Sequence, residues 1–158
     1  RRSLSVARRR CRIRHRRSSS DLHRRGMEAA RVNNGEAAIG CPFCDAAESV
    51  LSNALALARF DRYPVNPGHL LVHTRRHVAT YFEATRAERA ALFELIDAGK
   101  VLLDERFQPA GYNIGINVGA AAGQTIAHLH VHLIPRYPGD VADPRGGVRG
   151  VIPEKQKY

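Results

Sequence analysis

The chain has 158 residues, 44% of them hydrophobic, and a formal net charge of +10. That length and apolar content suit one domain with a modest core, and no run approaches the about 18 consecutive apolar residues that span a bilayer. The charge misleads as a nucleic-acid footprint: residues 1–26 hold eleven arginines and one acid, Asp21, whereas the remainder balances 14 basic against 14 acidic residues. A soluble protein without a basic nucleic-acid-binding face on its folded part is expected.

Residues 1–36 are rich in Arg and Ser and lack the apolar periodicity that buries a face, so a disordered tail is expected there. Three readings of it compete: a transit peptide, a nucleic-acid-binding arm, or translated leader ahead of a true start at Met27. The folded domain is assigned to residues 37–158. Of three cysteines, Cys11 lies in the tail, and Cys41 and Cys44 form a C-P-F-C pair. A lone pair in a cysteine-poor chain suits a metal or redox site in a reducing, cytoplasmic compartment better than a disulfide framework.

In chain order, residues 45–52 predict a short helix, and 53–61 (NALALARFD) alternate as a strand. Tyr63-Pro64-Val65-Asn66-Pro67-Gly68 is turn chemistry, and Leu70-Leu71-Val72 predicts a strand pairing back as a hairpin. The clearest helix spans about 86–106. Thr85 and Glu88 have capping-box spacing at its start, Leu92, Leu95, Ile96, Gly99, Leu102 and Leu103 share a stripe, and Pro109 stops it. Residues 112–118 predict a strand, 119–124 a loop, and 125–134 a second strand. Beyond Pro135 an ordered loop or extended tail is expected. The sum is an α+β domain, an antiparallel sheet with one main helix.

His128, His130 and His132 stand at i, i+2 and i+4, which on a strand directs all three to one face while Leu129, Val131 and Leu133 enter the core. A metal site or a surface histidine run is the bland alternative. The surrounding G-Q-T-I-A-H-L-H-V-H-L-I-P-R resembles the signature of the histidine triad (HIT) superfamily of nucleotide hydrolases and transferases. The resemblance covers roughly residues 40–136, and V-A-D-P-R-G-G-V-R-G-V-I-P-E-K is similar to the ending of a bacterial subgroup.

The resemblance implies a HIT-like nucleotide-binding domain that cleaves a nucleoside phosphate at its α-phosphorus. His130 is then the nucleophile, forming a nucleotidyl-histidine through Nε2 while Nδ1–H bonds a backbone carbonyl. His132 serves a phosphate oxygen or leaving group, and His69, in Pro67-Gly68-His69, supports the site. Asp61 matches a ribose-binding carboxylate and Asn117 a phosphate-contacting amide, with Gly123, Gln124 and Thr125 beside the phosphate. Turn capping competes for Asp61, a structural role for His69, and strand-end turn formation for Asn117. Arg136, Arg145 and Arg149 either reach a polyphosphate or are surface charges.

C-x-x-C spacing suits two thiolates on one zinc ion. Relatives with this pair imply that His77 and His128 complete a structural Cys2His2 zinc site, with His73 as rival to His77; two thiols without metal, or a redox pair, are the alternatives. The candidate substrates are dinucleoside polyphosphates, phosphoramidates and adenylated small molecules, adenine-containing by family preference, and a divalent cation can accompany a polyphosphate. A homodimer is implied. A nucleotidyltransferase or phosphorylase of the same family, and a non-catalytic nucleotide sensor, are the competing functions.

Overall fold

The computed structural model describes residues 40–45 and 47–158. The tail expected over residues 1–36 lies outside the described residues. Five strands form one antiparallel sheet: β1 (Leu51–Ser52), β2 (Ala56–Phe60), β3 (Leu70–Thr74), β4 (Gly111–Gly115) and β5 (His130–Arg136), in the order β1-β2-β3-β5-β4. Among the described residues a single α-helix, α1 (Arg86–Phe107), packs on one face. This is the expected α+β architecture. Among the described residues, no helix is long and apolar enough to cross a membrane.

The helix expected over 45–52 does not form. Asp45 accepts the N–H of Ala47 in a local turn, Glu48 reaches out to Arg59 and Arg62, and Leu51–Ser52 pairs with Ala58 and Leu57. The strand expected from residue 53 starts later, at Ala56, because the Asn53 side chain accepts the N–H groups of Leu55 and Ala56 and holds a turn. The β2–β3 hairpin forms as expected, closed by Asp61 N–H donating to the His69 carbonyl at 2.9 Å.

Helix α1 carries the expected capping box: Thr85 accepts from Glu88 N–H, and the Glu88 carboxylate accepts from Thr85 N–H. Glu88 is itself buried and takes a bidentate pair from Arg76, both bonds 2.8 Å. The helix ends at Phe107, two residues before Pro109, and the capping Gln108 adopts a left-handed conformation (φ 49°) with its N–H donating to the Asp104 carbonyl. Leu92, Leu95, Ile96 and Leu103 bury against Leu70, Val72, Val131 and Leu133, each worth roughly 1.5–3 kcal/mol. Ala91 joins this face, and Leu102, expected in it, is only half-buried. Helix and sheet approach closely at Gly99, where a Cβ would stand 3.2 Å from both Leu70 and Leu133.

The largest departure from expectation is β5, which begins at His130 rather than at residue 125. Residues 126–128 form a bend in which His128 N–H bonds the Ile126 carbonyl, and Leu129 N–H bonds Val78 instead of a strand partner. His130 and His132 therefore share a strand, and His128 precedes it. Strand β4 is also shorter than the expected 112–118: its ladder ends at Gly115 opposite His132, and residues 116–118 leave the sheet. The loop at 119–124 includes a 3-10 turn, Ala120–Ala122. After Arg136 the chain continues into two further 3-10 turns, Gly147–Val151 and Pro153–Lys155.

Replacing Glu88 by Ala removes the cap and strands the Arg76 guanidinium. A loss of about 2–3 kcal/mol in unfolding free energy is expected by urea denaturation. A change below about 0.5 kcal/mol would show that Glu88 is not the keystone of this corner.

Candidate active site and metal centre

The pairing of β3 with β5 decides which side chains meet. Leu70 opposite Leu133 and Val72 opposite Val131 turn into the core under α1; Leu71 opposite His132 and His73 opposite His130 turn to the other face. His69, two residues before Leu71, is the diagonal neighbour of His132 on that face.

His130 is 7% exposed, and its Nδ1–H donates to the carbonyl of His128 at 2.7 Å. That bond fixes the tautomer and leaves the Nε2 lone pair unshared with the backbone. The ring packs 5.0 Å from Phe43 and 5.1 Å from His132. His132 Nδ1 lies 3.0 Å from His69 Nε2, and His69 Nδ1 lies 3.2 Å from Asp61 Oδ2. Val65 N–H approaches that same His69 nitrogen at 3.3 Å, and Asp61 Oδ1 accepts Tyr63 N–H at 3.0 Å. Burial pushes the pKa of His69 down, against the opposing pull of Asp61. Burial, and then the neighbouring His130 and His69, push His132 down to about 4. In the free site at neutral pH, His132 is therefore a neutral imidazole.

Two clefts open on this face and share Asp61. The larger, about 560 Å³, receives Asp61, His69, His132 and Asn117; the smaller, about 230 Å³, is lined by Phe43, Asp61, Tyr63 and Leu71. His130 lies between Phe43 on one cleft and His132 on the other. Gly123, Gln124 and Thr125 line neither. The Gln124 amide instead ties the loop together, donating to Ala79 and Ile126 and accepting from Gly119 N–H.

A second constellation lies at the other end of the histidine segment. Cys41 Sγ is 3.4 Å from His128 Nδ1, Cys44 Sγ is 3.4 Å from His77 Nδ1 and 3.8 Å from His128 Nδ1, and all four ligand atoms lie within 4.8 Å of one another. A tetrahedron with metal–sulfur bonds near ~2.3 Å and metal–nitrogen bonds near ~2.0 Å has edges of about 3.3–3.8 Å, so the donor set fits a four-coordinate ion. His128 Nε2 donates to the Thr74 carbonyl at 2.8 Å, which aims Nδ1 at the thiols, as metal-bound histidines are commonly oriented. His73, the rival to His77, is buried and stacks on Phe43 with its Nδ1 beside the Thr74 carbonyl, away from the cysteines.

Three contributors were not singled out from sequence. Phe43, between the two cysteines, touches His73, His128 and His130. Arg59 donates to the Pro42 carbonyl at 2.7 Å and pairs with Glu48, pinning the cysteine turn onto β2. Thr74 meets His128 Nε2 with both its carbonyl, at 2.8 Å, and its hydroxyl, at 3.2 Å, and the carbonyl contact carries no sequence signal. Phe43 did carry one: a buried-type residue placed between two candidate ligands.

The HIT domain model matches residues 45–139. An AP-4-A phosphorylase from Mycobacterium tuberculosis is 38% identical over 92 residues, 58% of this chain and 47% of that protein. A bis(5'-nucleosyl)-tetraphosphatase from Schizosaccharomyces pombe is 36% identical over 89 residues, 56% of this chain and 49% of that protein. The chain thus spans about half the length of these curated relatives. The crystal structure of a zinc-bound histidine triad family protein from Mycobacterium smegmatis superposes with a TM-score of 0.60 at 28% identity, covering 66% of this chain and 80% of that one. With the family model matched over most of the described residues, and its histidines arranged in the geometry above, the chain belongs to the HIT domain family.

Proposed function

We propose that this protein is a nucleotide hydrolase that cleaves a nucleoside phosphate at the α-phosphorus through a nucleotidyl-histidine intermediate on His130. The observation that carries this reading is the 2.7 Å bond from His130 Nδ1–H to the His128 carbonyl, which presents Nε2 as the nucleophile. The lone pair of Nε2 attacks phosphorus and an N–P bond forms. The bond from phosphorus to the leaving group breaks, and its electron pair departs with that group. Water then attacks phosphorus, the N–P bond breaks, and the pair returns to Nε2.

The proton follows the chain His132–His69–Asp61. Phosphate charge favours imidazolium, so substrate binding places one added proton on the histidine pair. In that state His69 Nδ1–H faces Asp61, His69 Nε2–H faces His132 Nδ1, and His132 Nε2–H faces the cleft. His132 gives its proton to the leaving group, the shared proton shifts from His69 to His132 Nδ1, and the attacking water later restores the lost one. Asp61 serves here as the charge partner of His69, and Asn117 as a phosphate contact at the rim of the same cleft. The names of the relatives support an adenine nucleotide such as a dinucleoside polyphosphate. They also support inorganic phosphate as an alternative acceptor to water, which product analysis with added phosphate separates. The family resemblance supports a homodimer, and two thiols kept reduced for metal binding suit the cytoplasm.

Cys41, Cys44, His77 and His128 are proposed to hold a structural zinc ion, in keeping with the zinc-bound neighbour. Bound there, zinc supplies a cross-link between the cysteine turn and the segment leading into His130.

Turnover of diadenosine tetraphosphate and adenosine 5'-phosphoramidate is expected to fall at least about 10⁴-fold in H130A. A base-quenched wild-type reaction is expected to carry a nucleotidyl group that H130A lacks; near-normal turnover in H130A would overturn the mechanism. Elemental analysis is expected to find one zinc ion per chain, absent from C44S, whose Tm falls by at least about 5 °C. A metal-replete preparation without zinc, melting like C44S, would remove the structural ion. The pH dependence has a definite sign. His132 titrates near 4 when folded, against an ordinary value of 6.5, so the unfolded chain takes up the proton first. The His132 contribution to stability is complete above pH 6.5 and is lost as pH falls through about 4. In H132Q the fall between these values should be shallower by about one proton; parallel curves for the two proteins would contradict the burial argument.

A further inference from the structure

One buried imidazole on the active face belongs neither to the proton chain nor to the metal set. His73 stands opposite His130 in the β3–β5 ladder and is 1% exposed. Burying a polar ring in a central strand costs free energy that an Ile or Val at the same position does not incur. Little on the polar side offsets that cost. His73 Nδ1 lies 3.2 Å from the Thr74 carbonyl, which already accepts from His128 Nε2 at 2.8 Å. His73 lines neither of the two clefts, so it does not meet substrate directly.

What His73 supplies is a flat face. Its ring stacks on Phe43 with centroids 4.8 Å apart and planes 26° apart. Phe43 is itself buried, meets His128 near right angles at 5.8 Å and carries the Arg59 guanidinium 5.9 Å over its ring. It then packs on His130 at 5.0 Å with a 46° tilt. The bond from His130 Nδ1–H to the His128 carbonyl restrains one edge of the imidazole, and the neighbouring rings of Phe43 and His132 limit its rocking about the Cβ–Cγ bond. The stack on His73 fixes the plane of Phe43, and Phe43 bears on the plane of His130.

We infer that His73 is a positioning residue for the nucleophile, acting through Phe43 to hold the His130 ring in the plane that aims Nε2 at phosphorus. The inference rests on the proposed cleavage at His130. An Ile side chain fills a similar volume but has no planar face, so Phe43 tilts and the angle of attack at phosphorus widens. Such a change slows the step at phosphorus and leaves nucleotide binding nearly intact. It does not unsettle the fold. Ile suits a central strand, and the Thr74 carbonyl keeps His128 as its donor, so no polar group is stranded. Activity and stability therefore part company at this position, as they do where a costly side chain is kept for chemistry.

The test compares full-length wild type, H73I, F43L and H73I/F43L on diadenosine tetraphosphate and adenosine 5'-phosphoramidate. In H73I, kcat is expected to fall about tenfold with KM within about twofold of wild type. Metal content should match wild type, and Tm should hold or rise. In the double variant kcat should be no lower than in F43L, because a contact that works through Phe43 has nothing left to act on. An unchanged kcat in H73I, or losses that simply add in the double variant, would overturn the assignment. A kcat that falls together with Tm, or an H73I that does not fold, would show a structural role instead and reject it too. A further readout needs no turnover. The imidazole Nδ1–H resonance that disappears in H130A is expected to be sharp in wild type and to exchange with solvent at least about tenfold faster in H73I. If wild type turns over neither nucleotide, the cleavage reading fails, and this resonance alone decides: equal exchange in wild type and H73I would reject His73 as the residue that holds the ring.

Discussion

The register between β3 and β5 is the constraint on which everything else depends. With Val72 opposite Val131, the alternate pair His73 and His130 must face away from α1, and so must Leu71 and His132. A slip by one residue would drive two imidazoles under the helix and expose Val131 and Leu133. The apolar set under α1 therefore holds the reactive face in place. Stability and chemistry are two faces of one ladder, and the close approach of Gly99 to Leu70 and Leu133 shows how tightly the helix closes the structural side.

The same residue type is put to different uses by choosing which ring nitrogen the backbone engages. His128 gives Nε2–H to the Thr74 carbonyl and turns Nδ1 towards the thiols. His130 does the reverse, giving Nδ1–H to the His128 carbonyl and freeing Nε2. His132 gives its Nδ1 to another imidazole, so its donor or acceptor character depends on His69 and, through it, on Asp61 and Val65. Both tautomers of His69 have a partner for Nδ1, the carboxylate for the protonated form and the Val65 N–H for the other. A pair with two satisfied protonation patterns suits a group that must release and recover a proton in one cycle.

Much of this was legible in the chain. The α1 stripe with its Thr85–Glu88 cap, and the hairpin around Pro64 to Gly68, rest on local chemistry that reads directly from sequence. The gathering of Cys41, Cys44, His77 and His128 was anticipated through the family resemblance and the C-x-x-C spacing. The errors are also informative. The alternation His-Leu-His-Val-His is compatible with a continuous strand, but alternation does not say where the ladder ends. Leu129 N–H finds Val78, a residue 51 positions away, and that tertiary bond bends the chain at 126–128. The segment 45–52 has helix-tolerant composition, yet Glu48 is drawn off by Arg59 and Arg62 and Leu51 by β2. Those competitors cannot be weighed from local propensity.

The bend at 126–128 that sequence missed is what separates the roles of the histidines. On a continuous strand, three imidazoles on one face would be near-equivalent neighbours. Leaving the ladder lets His128 reach back to the cysteine turn, 84 and 87 positions earlier, while its carbonyl still orients His130. Phe43, carried between the two cysteines, then packs on the rings of both His128 and His130. The candidate metal centre thus touches the candidate nucleophile by two routes, the His128 backbone and the Phe43 ring. The four donors would complete a tetrahedron around an ion and leave no position for substrate, so the role proposed for such an ion is to hold His130 in place.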